Sequence, residues 1–420
     1  MRDQGRRRPI RRLGVYSDGP FGLIDANGAP RLVPDPADHP FLTFAYAVGR
    51  ALGTTVVFAR ARRVDDASTP LLPDDIGVVE LPYYSSLTDL GGLVRAVPGT
   101  VRGFWRGLAL VDGVWVLGPH PYAFLLISLA LVRRRTVVLG VRQDSLSYYR
   151  ARLPNARWKP ALAAAWVWEL GFRLLARGLR ITVVGPELAR RYGGEREGLL
   201  VTTVSQLRDA DVLDEPEPKD WTGPISLFTA GRIDPEKNPL LLVDALARLE
   251  AERPGRFRLA WAGTGPLEGE VRRRALELGV AERIELLGFV PFGPALLERY
   301  RRAHAFVHVS LTEGVPATVL EAHGCGTPVV ATAVGGVPFA LDEGAAGILV
   351  PPNDLDALVA GILRLVDEPE LREQLVRNGL RLARERTLEA SSSRVARFIA
   401  GEDAGPAPDL AEGTDQPAHV

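Results

Sequence analysis

The chain has 420 residues, 46% hydrophobic and 24% charged, an ordinary globular composition with room for two domains. Its 51 Lys and Arg balance 51 Asp and Glu, so no bulk field recruits nucleic acid or an anionic membrane. The single cysteine, Cys325, excludes an internal disulfide and a cysteine-built zinc site, and fits a reducing cytosol.

The basic start, MRDQGRRRPIRRLGV, leads into a short strand rather than a long apolar run, and reads as a loose tail, not a secretory signal. Strand-length apolar runs come next: LGVYS (13–17), TTVVFA (54–59), GVWVLG (113–118), TVVLGV (136–141) and RITVVG (180–185). Helix-like stretches such as FLTFAYAVGRAL separate several of them. Continuous apolar strands alternating with helices predict a parallel sheet covered on both faces, one doubly wound domain over residues 10–205. The run 114–135 is apolar enough to be weighed as a membrane span. Gly118, Pro119, His120 and Pro121 divide it into a strand and a helix of about 12 to 14 residues, too short to cross a bilayer. The stretch 157–180 mixes aromatic and aliphatic residues with arginines, as an interfacial helix does and as a buried helix with a charged edge does equally well. Peripheral membrane association is therefore one expectation for it.

Residues 205–224 lack an apolar period, carry clustered charges and prolines, and read as an interdomain linker. The strand pattern then restarts with PISLFTAG, FRLAWAG, RIELLGFV, AFVHVSL, TPVVAT and GILVP, which predicts a second doubly wound domain over 223–385. Residues 386–400 are expected to form a helix packing back toward the first domain. The acidic, proline- and alanine-rich segment 401–420 is expected to be disordered. Ligands of such sheets sit outside the carboxyl ends of the strands, so two of them in tandem imply a central cleft faced by both.

The chemistry is sought in loops that follow strands. In FTAGRIDPEKN (228–238) a strand ends at Gly231, Arg232 projects from its mouth, and Lys237 precedes a helix for which Asn238 is a candidate N-cap. Two cations there suit a diphosphate, and a solvated loop with Arg232 paired to Asp234 or Glu236 is the bland alternative. In LAWAGTGPLEGEV, Gly263 and Gly265 admit close approach of backbone to a ligand, although a plain tight turn explains them almost as well. In SLTEGVPATVLEAHG a helix beginning near Pro316 offers free N–H groups and a dipole to an anion, with Glu313 before it and Glu321 on its second turn. Carboxylates only accept hydrogen bonds, which suits sugar hydroxyls at the two ends of a nucleotide-sugar.

GRIDPEKN, AGTGPL, LLGFVP and TEGVPATVLEAHGCGTPVVAT, in that order, resemble the donor domain of retaining glycosyltransferases of family 4, over residues from about 224 to about 365. The resemblance implies an α/β GT-B fold of two tandem Rossmann-like domains. It implies that Gly231, Arg232 and Lys237 hold the donor diphosphate with Gly263 and Gly265 close by, and that Glu313 contacts the transferred sugar beside Gly314, Val315 and Pro316. Glu321 would take the ribose hydroxyls, and Phe289 and Val290 would line the base. Gly335 and Gly336 would keep the adjoining loop slim. On the acceptor side the family carries a paired-glycine loop, for which Gly19 and Gly22 are candidates, and a His-Asp pair where this chain has Arg142, Gln143 and Asp144. His120 is a further candidate there.

The resemblance and the residues together lead one to expect a retaining, metal-independent transferase with no cofactor, in the cytoplasm or at the inner membrane face. It would take a nucleotide-sugar donor and a hydroxyl acceptor, and no nucleic acid. A nucleotide-sugar epimerase or hydrolase and a non-catalytic scaffold of the same fold are the alternatives.

Overall fold

The structure, a computed structural model, describes residues 9–403 apart from 27–28, 35–38, 65–72, 74, 87–88, 143–158 and 195. The chain divides into two units, the first running to Val204 and resuming at Ser391, the second running Ser205–Ala390.

The first unit holds β1 (Arg12–Ala26), β2 (Ala29–Pro34), β3 (Thr54–Arg63), β4 (Gly77–Leu81), β5 (Gly113–Leu117), β6 (Thr136–Val141), β7 (Arg180–Val184) and β8 (Leu199–Thr202). Its helices are α1 (His39–Leu52), α2 (Leu90–Gly107), α3 (Pro121–Val132), α4 (Lys159–Ala176) and α5 (Pro186–Arg191). The sheet runs β4-β3-β1-β5-β6-β7-β8 in parallel, and β2 pairs antiparallel with the outer part of β1. The central strand β5 is buried along its whole length, which is why its sequence is continuously apolar. Three strands escape the sequence reading for physical reasons. β2 itself contains Pro30 and Pro34, β4 is a half-exposed edge, and β8 has only four residues.

One expectation is corrected in β1. Gly19 and Gly22, expected in a loop after the first strand, lie within β1 itself, which continues past an irregularity between Tyr16 and Pro20. Gly22 pairs with Val33 on one side and Arg62 on the other. A Cβ there would come within 2.7 Å of Val64 Cγ2, so this glycine admits close packing within the sheet rather than a ligand.

The second unit holds β9 (Ile225–Ala230), β10 (Phe257–Ala262), β11 (Ile284–Gly288), β12 (Ala305–His308), β13 (Val329–Thr332) and β14 (Ile348–Val350). They form one parallel sheet, ordered β11-β10-β9-β12-β13-β14. Its helices are α6 (Pro239–Glu252), α7 (Glu268–Glu277), α8 (Pro294–Arg302), α9 (Ala317–Gly324), α10 (Val337–Ala340), α11 (Leu355–Asp367) and α12 (Pro369–Glu385), followed by α13 (Leu388–Ala400). Successive strand residues face opposite sides. Leu227 accordingly joins a cluster with Leu246, Phe257 and Trp261, while Phe228 joins another with Tyr300, Phe306 and Val319. Burying each such side chain contributes about 1.5–3 kcal/mol.

Residues 205–224 are no free linker. Leu207 is fully buried beside Phe228, its carbonyl accepts from the Leu388 N–H at 2.7 Å, and the Lys219 ammonium donates to the Ala303 carbonyl. Isolated anchors of this kind leave no period in the sequence. From Ser391 onward α13 counts with the first unit, where Val395 and Ile399 are buried and Ser391 Oγ lies 3.2 Å from Thr203 Oγ1.

The order of the second sheet reverses between β9 and β12. Open α/β sheets bind ligands at such a switch point. The loops leaving these two strands touch there, the Leu311 N–H donating to the Glu236 carbonyl at 2.8 Å.

Candidate active site

The β9 loop brings up the cations. Arg232 is 56% exposed and pairs within its own loop, Nε lying 3.0 Å from Asp234 Oδ2 and the guanidinium also meeting Glu236. A phosphate therefore competes with two carboxylates for Arg232. Lys237 is more enclosed, and its Nζ lies 2.5 Å from Glu313 Oε1. Asn238 does not cap α6 as expected: its backbone is left-handed (φ 50°, ψ 50°) rather than the extended form of a capping residue, and Nδ2 donates to Asn353 Oδ1 at 3.0 Å.

The β12 loop brings up the carboxylate. Glu313 Oε1 receives Lys237, Ser310 Oγ at 2.7 Å and His308 Nε2 at 2.9 Å. Burial alone would raise the Glu313 pKa, but the hydrogen bond and charge of His308, together with Lys237, outweigh it and bring it to about 2. The loop is braced from below. The Thr332 hydroxyl donates to the Ser310 carbonyl at 2.6 Å, and the Gly336 N–H to the Gly314 carbonyl at 2.9 Å. Gly335 has φ +54°, and a Cβ on it would strike the Glu313 carbonyl. Past Gly314 and Val315, Pro316 occupies the N-cap of α9, and no side chain caps that helix.

Glu321 lies on the second turn of α9, only 6% exposed. It accepts from the Tyr300 hydroxyl at 2.8 Å. Burial raises its pKa to about 7, and the Tyr300 hydrogen bond opposes part of that rise. Gly263 follows β10, and a Cβ there would strike the Gly231 carbonyl; at Gly265 it would strike that of Ile233. These two glycines let the β10 loop lie against the β9 loop. After β11, Phe289 is 73% exposed and Val290 partly buried.

The fold thus joins Lys237 directly to Glu313, gives Arg232 its own local partners, and gives Glu321 a separate one. Sequence reasoning missed His308, Ser310 and Tyr300. His308 had a signal: it alternates with Phe306 on one face of the strand that runs toward Glu313, and Ser310 follows two positions on, past the strand's end. Tyr300 had none, because its contact with Glu321 links two different helices.

In the first unit His120 is a buried N-cap. Its Nδ1 accepts from the Tyr122 N–H at 3.2 Å and its Nε2 lies 2.8 Å from Asp18 Oδ2, so both ring nitrogens are engaged. Burial would raise the Asp18 pKa, but His120, Arg60 and Tyr84 outweigh it and lower it. Arg142 lies with its guanidinium carbon 4.3 Å from the Phe41 ring centroid, and with Phe41, Phe44, Trp115 and Thr182 it lines a small pocket. Gln143 and Asp144 lie outside the described residues. Among the described residues no group of three or more His, Cys, Asp or Glu side chains is placed to hold a metal ion, and no helix is long and apolar enough to cross a membrane.

Two tandem parallel-sheet units define the GT-B class of fold, and solved structures agree with it. Sucrose-phosphate synthase of Thermosynechococcus elongatus superposes with a TM-score of 0.67 at 18% identity, covering 93% of this chain and 98% of its own. Anabaena HepE, in complex with UDP and glucose, superposes with a TM-score of 0.63 at 17% identity, covering 93% and 100%. Residues 213–381, most of the second unit, match the family model of glycosyl transferases group 1. A D-inositol 3-phosphate glycosyltransferase of Thermomonospora curvata is 34% identical over 230 residues, 53% of this chain and 52% of that protein. The chain spans about half the length, or less, of the curated relatives it matches.

Proposed function

We propose that the protein is a retaining glycosyltransferase that moves a sugar from a nucleotide-diphosphate-sugar to a hydroxyl acceptor, without a metal or other cofactor. The observation that carries this reading is the meeting of Lys237 and Glu313 at the switch point of the second sheet, a cation and an anion where a diphosphate and a sugar would adjoin. The fold's likeness to HepE in complex with UDP and glucose supports it.

In this reading Lys237, Arg232 and the uncapped start of α9 hold the diphosphate and stabilise the charge it acquires as it leaves. Glu313 reads the sugar hydroxyls, with Gly314, Val315 and Pro316 beside it, and Glu321 reads the ribose. Gly231, Gly263 and Gly265 keep the adjacent loops low, and Phe289 and Val290 offer a wall for the base. The acceptor oxygen replaces the phosphate oxygen at the anomeric carbon from the face the phosphate leaves, and the acceptor's proton departs with the diphosphate. We place acceptor recognition on the first unit, around Arg142 at the carboxyl end of β6 and Asp18 at the irregularity within β1. We place the enzyme in the cytoplasm, at the inner membrane face, with the apolar stripe Trp166, Val167, Leu170 and Leu174 of α4 as its membrane contact.

Nucleoside diphosphate release from a panel of nucleotide-sugars, with and without added hydroxyl acceptors, tests the reading. Acceptor-dependent release is expected from the native protein and its abolition in Lys237→Ala. Free sugar as the sole product would instead favour a hydrolase, and unchanged turnover in Lys237→Ala would remove the clamp.

A further inference from the structure

Glu313 has three donors, and the proposed reaction asks one of them to serve elsewhere. Lys237 must face the diphosphate as it turns over. The remaining two, His308 and Ser310, belong to β12 and its immediate continuation. His308 is 4% exposed, and its ring stacks on Phe306 with an interplanar angle of 23°. The Ser310 hydroxyl donates to Glu313 Oε1, so the His308 Nε2–H is shared between that oxygen at 2.9 Å and Ser310 Oγ at 3.2 Å. All three donors fall on Oε1, and Oε2 accepts from no described group. A carboxylate gripped by one oxygen, in a side chain only 10% exposed, keeps the other available as an acceptor.

We propose that His308 is a positioning residue for the donor sugar: it fixes Glu313 by Oε1 so that Oε2 faces the sugar hydroxyls, and it keeps that grip while Lys237 turns to the diphosphate. This role rests on the donor reading of the site. A histidine on a strand is suited to the task, since its ring has few rotamers to lose and β12 itself is buried. Without it, Glu313 would depend on the Ser310 hydroxyl alone at the moment of transfer.

The test compares full-length His308→Leu and His308→Gln, each with and without Glu313→Gln. Melting temperatures need no donor. His308→Leu should lower the melting temperature, and by clearly less when residue 313 is already Gln. Additive shifts would overturn the inference. With the nucleotide-sugar that the native protein turns over, His308→Leu should lower kcat about 10- to 100-fold, the worth of a hydrogen bond to a charged group. Its affinity for the nucleoside diphosphate alone should stay within about threefold, because that ligand lacks the sugar Glu313 reads. His308→Gln, whose amide still donates, should recover most of the loss. Native kcat in the Leu variant, or a Gln variant no better than Leu, would overturn the assignment. Coupled melting shifts in a protein that turns over no nucleotide-sugar would sink the donor reading and the sugar-facing role with it.

Discussion

Glu313 and Glu321 stand eight residues apart in one loop and helix, yet they sit at opposite ends of the carboxylate range. Both are buried, and burial raises both. Glu313 has a lysine, a histidine and a serine to offset the cost and falls to about 2, whereas Glu321 has one tyrosine hydroxyl and rises to about 7. The two therefore act oppositely on stability. Glu313 contributes stability that is present above its ordinary value of 4.5 and is lost as pH falls toward 2. Glu321 ionises in the unfolded chain near 4.5 and in the native protein only near 7, so stability falls as pH rises between those values and levels off above. The span corresponds to about 3 kcal/mol at about 1.4 kcal/mol per pKa unit. Glu321→Gln should flatten that slope in urea unfolding from pH 4.5 to 8. An unchanged slope would show that another group carries it. If Glu321 reads ribose, nucleotide affinity of the native protein should also strengthen as pH rises through about 7, because ionisation makes both oxygens acceptors and gives charge-assisted bonds to the hydroxyls; calorimetry of nucleoside diphosphate binding across that range checks it.

At the scale of elements, the helix that carries Glu321 is held from behind. His323 on α9 is buried, its Nε2 lies 3.1 Å from the Ala346 carbonyl, and burial with the Arg386 charge lowers its pKa to about 3. Gly379 of α12 faces that ring so closely that a Cβ would come within 2.8 Å of His323 Cδ2. Gly379→Ala improves helix propensity by about 1 kcal/mol at most. It should nonetheless destabilise the protein, since overpacking costs about 1–3 kcal/mol. A denaturation midpoint equal to or above that of the native protein would show that α9 and α12 have room to part. The sequence made α9 legible, and nothing in it distinguished Gly379 as a contact point.

At the scale of the whole molecule, the formal charge is zero, so attraction to an anionic surface must come from local features. In the membrane reading proposed above, helix α4 supplies one. Trp166, Val167, Leu170 and Leu174 are 41–57% exposed along one stripe, and Arg173 stands beside them with its head paired to Glu169. Bilayer-interface helices combine these residue types. The protein should co-sediment with vesicles of anionic phospholipid, and Trp166→Ser with Leu170→Ser should abolish this while leaving nucleotide binding intact. Equal sedimentation of the double variant would assign the contact elsewhere, and none by the native protein would dismiss it.

Local pattern alone determined two doubly wound parallel sheets, their central strands and the loops that bear Arg232, Lys237, Glu313 and Glu321. Buried parallel strands must be apolar throughout, and functional loops must follow them, so both are written in consecutive residues. Tertiary structure alone decided which charges meet. Lys237 finds Glu313 across 76 positions, Tyr300 finds Glu321 from another helix, and His120 turns from a candidate ligand-facing residue into the cap of α3. A hydrogen bond depends on where folding brings two atoms, and no spacing along a chain encodes a partner on a different element.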